Sequence, residues 1–227
     1  MKKTALIVGA GSGLSASLAR SLTKAGYRCV LAARNTDKLD ALCRETGATA
    51  AKCDVAKPED VERLFASLAA DAPSVVIYNP SGRVRGPLIE LDPVKVRDAL
   101  AITAYGGFLV GQAAARQMLK AKAGTIVFTG ASASIKGYAQ SATFAMGKFA
   151  LRGLAQSMAR ELAPQGIHVA HVVIDGGIAS ATRVAPADKP DSLLTPDAIA
   201  ETYMHLIGQS RDAWTWEIEV RPWVERF

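Results

Sequence analysis

Short, nearly continuous apolar runs alternate with stretches of helical period from one end of the chain to the other, and this alternation leaves few folds open. Ala5–Val8 reads as a buried strand. Leu14, Leu18 and Leu22 then recur at every fourth position, one face of a helix closed near Gly26. Cys29–Ala33 is the next strand, Asp37–Thr46 a helix stopped by Gly47, and Thr49–Cys53 a third strand. Pro58 opens a helix whose apolar face is Val61, Leu64, Phe65 and Leu68, and Val75–Tyr78 is the fourth strand. Pro93–Ala121 reads as one long helix containing Gly106 and Gly107, followed by a fifth strand over Thr125–Thr129. A second long helix covers Thr143–Ala163, and Val169–Ile174 is the sixth strand. Thr195 and Pro196 cap a helix reaching about Gly208, and Glu217–Val220 is a candidate last strand.

Strands apolar on both faces, each followed by a helix, imply a parallel sheet covered by helices on both sides. Right-handed crossovers make this a doubly wound, Rossmann-like α/β fold of about seven strands. The 227 residues suit one well-buried domain, with no linker and no repeat, so residues 1–227 are expected to form a single unit. The irregular segment Ile178–Leu194 follows the sixth strand on the edge where such sheets bind ligands, and is the expected substrate loop.

Hydrophobic residues make up 49% of the chain and charged residues 21%, a balance that argues against disorder. The net charge of +6 suits a phosphate-rich cofactor. Nucleic acid is a poor reading of it, because no dense Lys/Arg run occurs and aromatics are only 6%. Cys29, Cys43 and Cys53 lack paired spacing, and His168, His171 and His205 are scattered, so no metal site or disulfide framework is expected. Reduced thiols fit the cytoplasm. The opening Met1–Thr4 and the apolar Ala5–Val8 resemble the start of a secretory signal. The apolar run ends at Gly9, however, and no cleavage site is evident before Arg20 and Lys24, so a first strand is the better reading. No segment reaches the ~18 apolar residues of a membrane span.

The chemistry begins at the turn Val8–Ser15, between the first strand and the first helix. Glycines let a backbone approach a pyrophosphate, and the helix behind offers free N–H groups and the positive end of its dipole. Gly9, Ser12, Gly13 and Leu14 are the candidate phosphate-binding residues. The second strand ends in Ala33, Arg34 and Asn35, with no acid to bond ribose hydroxyls. Arg34 suits a 2′-phosphate, the plain alternative being a solvated surface arginine. NADP(H) is therefore preferred and NAD(H) is the second choice.

These residues, and most of the chain after them, resemble the short-chain dehydrogenase/reductase family. Gly9, Gly13 and Ser15 stand on its Gly-x-x-x-Gly-x-Gly pattern, with serine in place of the last glycine. Asp54 and Val55 stand on the Asp-Val that contacts adenine, and Asn79 is the one match to Asn-Asn-Ala-Gly within Tyr78–Ser81. Thr125–Gly137 is similar to the fifth strand and serine loop, Ala150–Leu154, Ala159–Leu162 and Gly166–Val169 also match, and Asp175–Ile178 replaces Pro-Gly-x-Ile. Among cofactor contacts the resemblance implies Asn79, Ile178 and Lys148, whose ammonium would bond the nicotinamide ribose.

The resemblance also exposes a gap. Phe144 occupies the tyrosine position of Tyr-x-x-x-Lys, with Lys148 one helical turn on. The serine that polarises the carbonyl aligns with Ala131, leaving Ser132 one place along, and the helix asparagine aligns with Thr103. Phenylalanine has no proton to give, so donation would fall to Ser132 with a water held by Lys148, or to Tyr138 or Tyr105. The implied activity is NADP(H)-dependent oxidation or reduction of a small carbonyl or alcohol substrate. Two alternatives stay open: a nucleotide-binding sensor or interaction protein without turnover, and reduction of an activated alkene or quinone. The family's habit implies a homodimer or homotetramer through the two long helices, where Ala104, Gly106, Gly107, Ala113 and Ala114 would permit close packing. Trp214, Trp216, Trp223, Arg221 and Phe227 read as C-terminal packing or subunit contact.

Overall fold

A computed structural model describes residues 2–225; Met1, in the signal-like opening, and Phe227 lie outside the described residues. In chain order, β1 (Thr4–Val8), α1 (Leu14–Lys24), β2 (Arg28–Ala33), α2 (Asp40–Thr46) and β3 (Thr49–Lys52) come first. After them come α3 (Pro58–Ser67), β4 (Val75–Tyr78), α4 (Pro93–Leu100), α5 (Gly106–Ala121) and β5 (Gly124–Thr129). The chain then forms α6 (Ala142–Leu162), β6 (Ile167–Ile174), the short β7 (Gly177–Ile178) and β8 (Leu193–Leu194), α7 (Pro196–Gly208) and β9 (Glu217–Val220).

Seven strands form one parallel sheet in the order β3-β2-β1-β4-β5-β6-β9, a doubly wound Rossmann-like arrangement. Alternate residues of each strand feed two cores. Ala5, Ile7, Cys29 and Leu31 meet α1 and α7 through Leu18, Leu22, Tyr203 and Leu206. Leu6, Val8, Val76 and Tyr78 meet α3, α5 and α6 through Phe65, Val110 and Leu151. The strand order reverses between β1 and β4, which are in register with Val8 opposite Tyr78. The residues just beyond them, Gly9 and Asn79, therefore stand at the topological switch point, where doubly wound sheets open a crevice.

Several boundaries differ from expectation. The helix expected from Asp37 begins with a 3₁₀ turn at Asp37–Leu39, and β3 ends at Lys52. Strand β6 starts at Ile167, where its ladder with β5 begins opposite Gly124, and every residue of it is buried. The expected long helix is divided into α4 and α5 by a π-helical turn, Ala101–Tyr105. The Tyr78 hydroxyl bonds the Ile102 carbonyl there, and Thr103 Oγ1 accepts from Gly82 N at 2.8 Å. Groups from β4 and its loop thus take up polar atoms that the wider turn presents.

Three of the small residues expected at subunit contacts pack within the chain itself. A Cβ on Gly106 would lie 2.6 Å from the Tyr78 hydroxyl, and one on Gly107 2.4 Å from Leu151 Cδ1. Gly106, Gly107 and Ala114 are buried against the chain's own sheet and α6, so they let elements of this chain approach closely. The loop after β6 leaves and returns at one place, since β7 pairs with β8 and Ala179 N donates to Leu194 O at 2.8 Å. No helix among the described residues is long and apolar enough to cross a membrane.

Candidate functional site

The turn after β1 is held from two sides. Gly9 N and Ala10 N both donate to Ala32 O of β2, at 2.9 and 3.0 Å. Gly9 has φ +79°, and a Cβ there would lie 2.7 Å from Pro80 N, so the β4 loop closes down on glycine. A Cβ on Gly11 or Gly13 would meet nothing within 4 Å, which leaves the outer side of the turn open. Ser12 is exposed at its tip, Gly13 is the N-cap of α1, and Leu14 is buried. Neither a side-chain cap nor a first-turn acid takes up the helix end. Ser15 bonds Gly9 O at 3.4 Å and accepts from Asn79 Nδ2 at 2.8 Å. The serine in place of glycine thus ties the turn to the end of β4.

Beside this turn lies a cavity of about 290 Å³. Gly9, Arg34, Asn35, Asp54, Val55 and Asn79 all line it, as does Lys38, which sequence reasoning missed. Arg34 has no ion-pair or hydrogen-bond partner among the described residues. Asn35 Oδ1 accepts from Asp37 N at 2.9 Å, and Asp54 Oδ1 accepts from Ala56 N at 3.2 Å, so both side chains also order their own turns. The unpaired Arg34 and the open glycine turn put anion-binding groups at one edge of the sheet, which fits a dinucleotide.

A second cavity of about 220 Å³ shares Asn79 and Ser81 with the first and continues it past β5. Phe144, Lys148 and Ile178 line it. Lys148, only 3% exposed, projects from α6 and donates from Nζ to Thr129 O at 2.6 Å. Burial, with the positive charge of Arg83 adding to it, lowers its ammonium to about 7. Its Nζ stands 5.9 Å from the centre of the Phe144 ring.

The other nominated groups lie elsewhere. Ser132 bonds the Asp175 carboxylate, which also accepts from Lys136 Nζ at 2.9 Å. Burial alone would raise the Asp175 carboxyl, but these two bonds together with the charges of Lys136 and Arg221 hold the group below its usual range. It is Ala131, not Ser132, that lines the cavity. Tyr138 is exposed in the loop before α6 and does not line either cavity. Tyr105 is exposed and stacks on Phe108, ring centres 6.4 Å apart. Thr103 is buried under Gly147, where an added Cβ would come within 2.9 Å of Thr103 Cβ. Of the C-terminal aromatics, Trp214 stacks on His168, Trp216 lies by Arg152, and Trp223 donates to Asp191 at 3.0 Å, while Arg221 pairs with Glu219. These are contacts within the chain.

Two guanidinium groups of the second cavity escaped the sequence reading. Arg83, from the loop after β4, places Cζ 3.8 Å above the Phe144 ring. Arg183 reaches the cavity from the loop after β7. Its backbone pairs with Ser180 in both directions, at 2.9 and 3.1 Å, and its guanidinium stands close to Gly177. The only local signal was the pair Arg83 and Arg85 inside a short Gly82–Gly86 loop.

A buried polar chain backs the Ala131 segment. Ala131 N donates to Ser134 Oγ at 3.1 Å, and Ser134 Oγ lies 3.3 Å from His171 Nε2. His171 Nδ1 lies 3.0 Å from Glu217 Oε2, and Arg152 clamps that carboxylate at 2.6 and 2.7 Å. Burial pushes His171 down to about 4, against the pull of Glu217. The ring is therefore neutral at pH 7, a donor to Glu217 and an acceptor from Ser134.

Residues 3–190 match the short chain dehydrogenase family. A short-chain dehydrogenase from Rhodopseudomonas palustris is 34% identical, with a TM-score of 0.85 over 97% of this chain and 99% of its own. A metagenomic short-chain oxidoreductase in complex with NADP is 28% identical, with a TM-score of 0.84 over 97% of both chains. The 3-oxoacyl-[acyl-carrier-protein] reductase of Bos taurus is 29% identical over 78% of this chain and 76% of its own. The chain belongs to the short-chain dehydrogenase/reductase family. Its fold and the proteins it resembles place it among oxidoreductases built on a nicotinamide-dinucleotide fold.

Proposed function

We propose that the protein is an NADP(H)-dependent oxidoreductase acting on a small carbonyl or alcohol substrate. The observation that carries this reading is the pair of adjoining cavities that share Asn79 and Ser81, one lined by Gly9 and the unpaired Arg34, the other by the buried Lys148. Gly9, Ser12, Gly13 and Leu14 form the turn that would receive the pyrophosphate. Arg34, with Asn35 beside it, would receive the 2′-phosphate, which makes NADP(H) the preferred cofactor and NAD(H) the second. Asp54 and Val55 would flank the adenine, and Asn79 and Ile178 the middle of the molecule. The NADP complex of the metagenomic relative supports this choice. When bound, the dinucleotide supplies or accepts the hydride.

Lys148 holds the proton. Its ammonium, lowered to about 7, can release and recover a proton near neutral pH, directly or through a water in the cavity. Phe144 lines the substrate side and excludes water. The bond of Ser132 to Asp175 turns it to ordering the loop, and Tyr138 stands outside both cavities. The segment 178–194 would form the substrate loop. Tyr105, Phe108, Met146 and Phe149 leave apolar surface at or beside α5 and α6, which favours a dimer or tetramer through these helices.

A second reading, a dinucleotide-binding protein without turnover, is favoured by the lack of a hydroxyl at both Phe144 and Ala131. One paired experiment separates the two. NADPH and NADH are titrated by fluorescence, and a panel of carbonyl compounds is then scanned with wild type and Phe144→Tyr. The oxidoreductase reading expects NADPH binding and measurable wild-type reduction, raised about 10²-fold by the added phenol. NADPH binding with no wild-type turnover, but with an active Phe144→Tyr variant, would establish the second reading.

A further inference from the structure

The second cavity has a charge pattern that dinucleotide binding leaves unexplained. Arg83, Lys148 and Arg183 all line it, and no carboxylate does among the described residues. Asp175, between the lining residues Ile174 and Gly176, is already engaged by Ser132 and Lys136. Neither Arg83 nor Arg183 has an ion-pair partner among the described residues, although six other arginines do. Arg83 and Arg183 are near enough to repel each other, and Arg83 also repels Lys148. Gathering like charges around a concavity costs stability unless an anion completes the site.

The cofactor phosphates have their own cationic groups. Arg34, Lys38 and the backbone of Gly9 and Ala10 line the first cavity, which shares only Asn79 and Ser81 with the second. Arg83 is held in a particular way as well. At 3.8 Å its guanidinium rests on the face of Phe144, which leaves the N–H edge free for a planar acceptor.

We propose that Arg83 and Arg183 form a carboxylate-binding pair, so that the substrate is a small carbonyl or hydroxy compound bearing a carboxylate. This rests on the oxidoreductase reading for the reaction, but the anion site itself does not depend on turnover. The carboxylate bridges the two guanidinium groups, and the apolar remainder lies along Phe144, Ile174 and Ile178. Bidentate, charge-assisted bonds orient the substrate and discriminate against its neutral analogues.

The test uses the full-length protein and matched probes. Benzoylformate and its methyl ester are compared as substrates, and benzoate and benzamide as ligands by calorimetry, with and without saturating NADPH. Wild type is expected to bind benzoate and not benzamide, and to favour the acid over the ester by about 10²-fold in kcat/KM. Arg83→Leu and, separately, Arg183→Leu should each reduce benzoate affinity at least about tenfold, with NADPH affinity unchanged. Circular dichroism checks that each variant folds, and Arg83→Lys, which keeps the charge but not the fork, should recover part of the binding. If no carbonyl compound is reduced but benzoate binding depends on the arginines, the anion site stands and the reductase reading falls. Equal binding of benzoate and benzamide overturns the proposal. So does a loss of NADPH affinity in the arginine variants with benzoate binding intact.

Discussion

Lys148 donates from Nζ to the carbonyl oxygen of Thr129 at 2.6 Å, and this buried ammonium has no carboxylate partner among the described residues. Thr129 is itself fixed from the opposite face of the sheet, where its hydroxyl bonds Tyr203 of α7 at 2.8 Å. The lysine is thus positioned by the ends of two elements and charged at a cost.

That cost has a measurable pH dependence. The unfolded chain keeps the lysine proton up to its ordinary 10.5, whereas the folded protein begins to release it near 7. The burial penalty is absent above pH 10.5 and fully felt below 7. Lys148→Met should therefore raise stability at pH 7 by roughly 1–3 kcal/mol and lose that gain as the pH approaches 10.5, while abolishing turnover. Urea unfolding at the two pH values reads the difference; a variant less stable than wild type at pH 7 would show that the bond to Thr129 outweighs the buried charge.

Cofactor choice is tested at Arg34. Arg34→Asp removes the unpaired cation beside the first cavity and supplies an acceptor for ribose hydroxyls. NADPH affinity should fall by about 10- to 100-fold and NADH affinity should rise, as read by fluorescence titration. An unaltered ratio of the two would assign the 2′-phosphate to Lys38 or to no residue of this edge.

Acid should unfold the protein through the chain behind Ala131. His171 is held neutral, with its folded value near 4 against an ordinary 6.5. Between these values the unfolded state binds more protons, so stability falls as pH drops from about 6.5 towards 4. Glu217 acts with the same sign: burial raises its carboxyl, but Arg152 and His171 outweigh burial and hold it low, so its contribution is also lost in acid. A loss of about 1–3 kcal/mol between pH 7 and pH 4.5 is expected, with a shallower dependence in His171→Gln. Denaturant midpoints across this range measure it, and equal slopes in the two proteins would remove His171 from the account.

Much of the frame was legible because its signals are local. Strands buried on both faces must be apolar throughout, so Ala5–Val8 and Val75–Tyr78 announce themselves. The glycine turn is legible because a left-handed φ of +79° at Gly9 favours glycine, and a Cβ there would also lie 2.7 Å from Pro80 N. The π-helical turn was not legible, since it depends on Tyr78 and Gly82 meeting Ile102 and Thr103 across the fold. Ser15 looked like a mere departure from a pattern until Asn79 was found bonded to it.

The order of apolar runs, the turn after β1 and the cation ending β2 were enough to specify a doubly wound sheet and the edge proposed to meet a dinucleotide. Ser132 turned towards Asp175, Gly106 and Gly107 packed within the chain, and Arg83 brought over Phe144 belong to the assembled fold alone. Periodicity and turn chemistry act over a few neighbouring residues and can be read along the chain. Which distant loops converge at one sheet edge depends on strand order and crossover packing, which exist only once the whole sheet has formed.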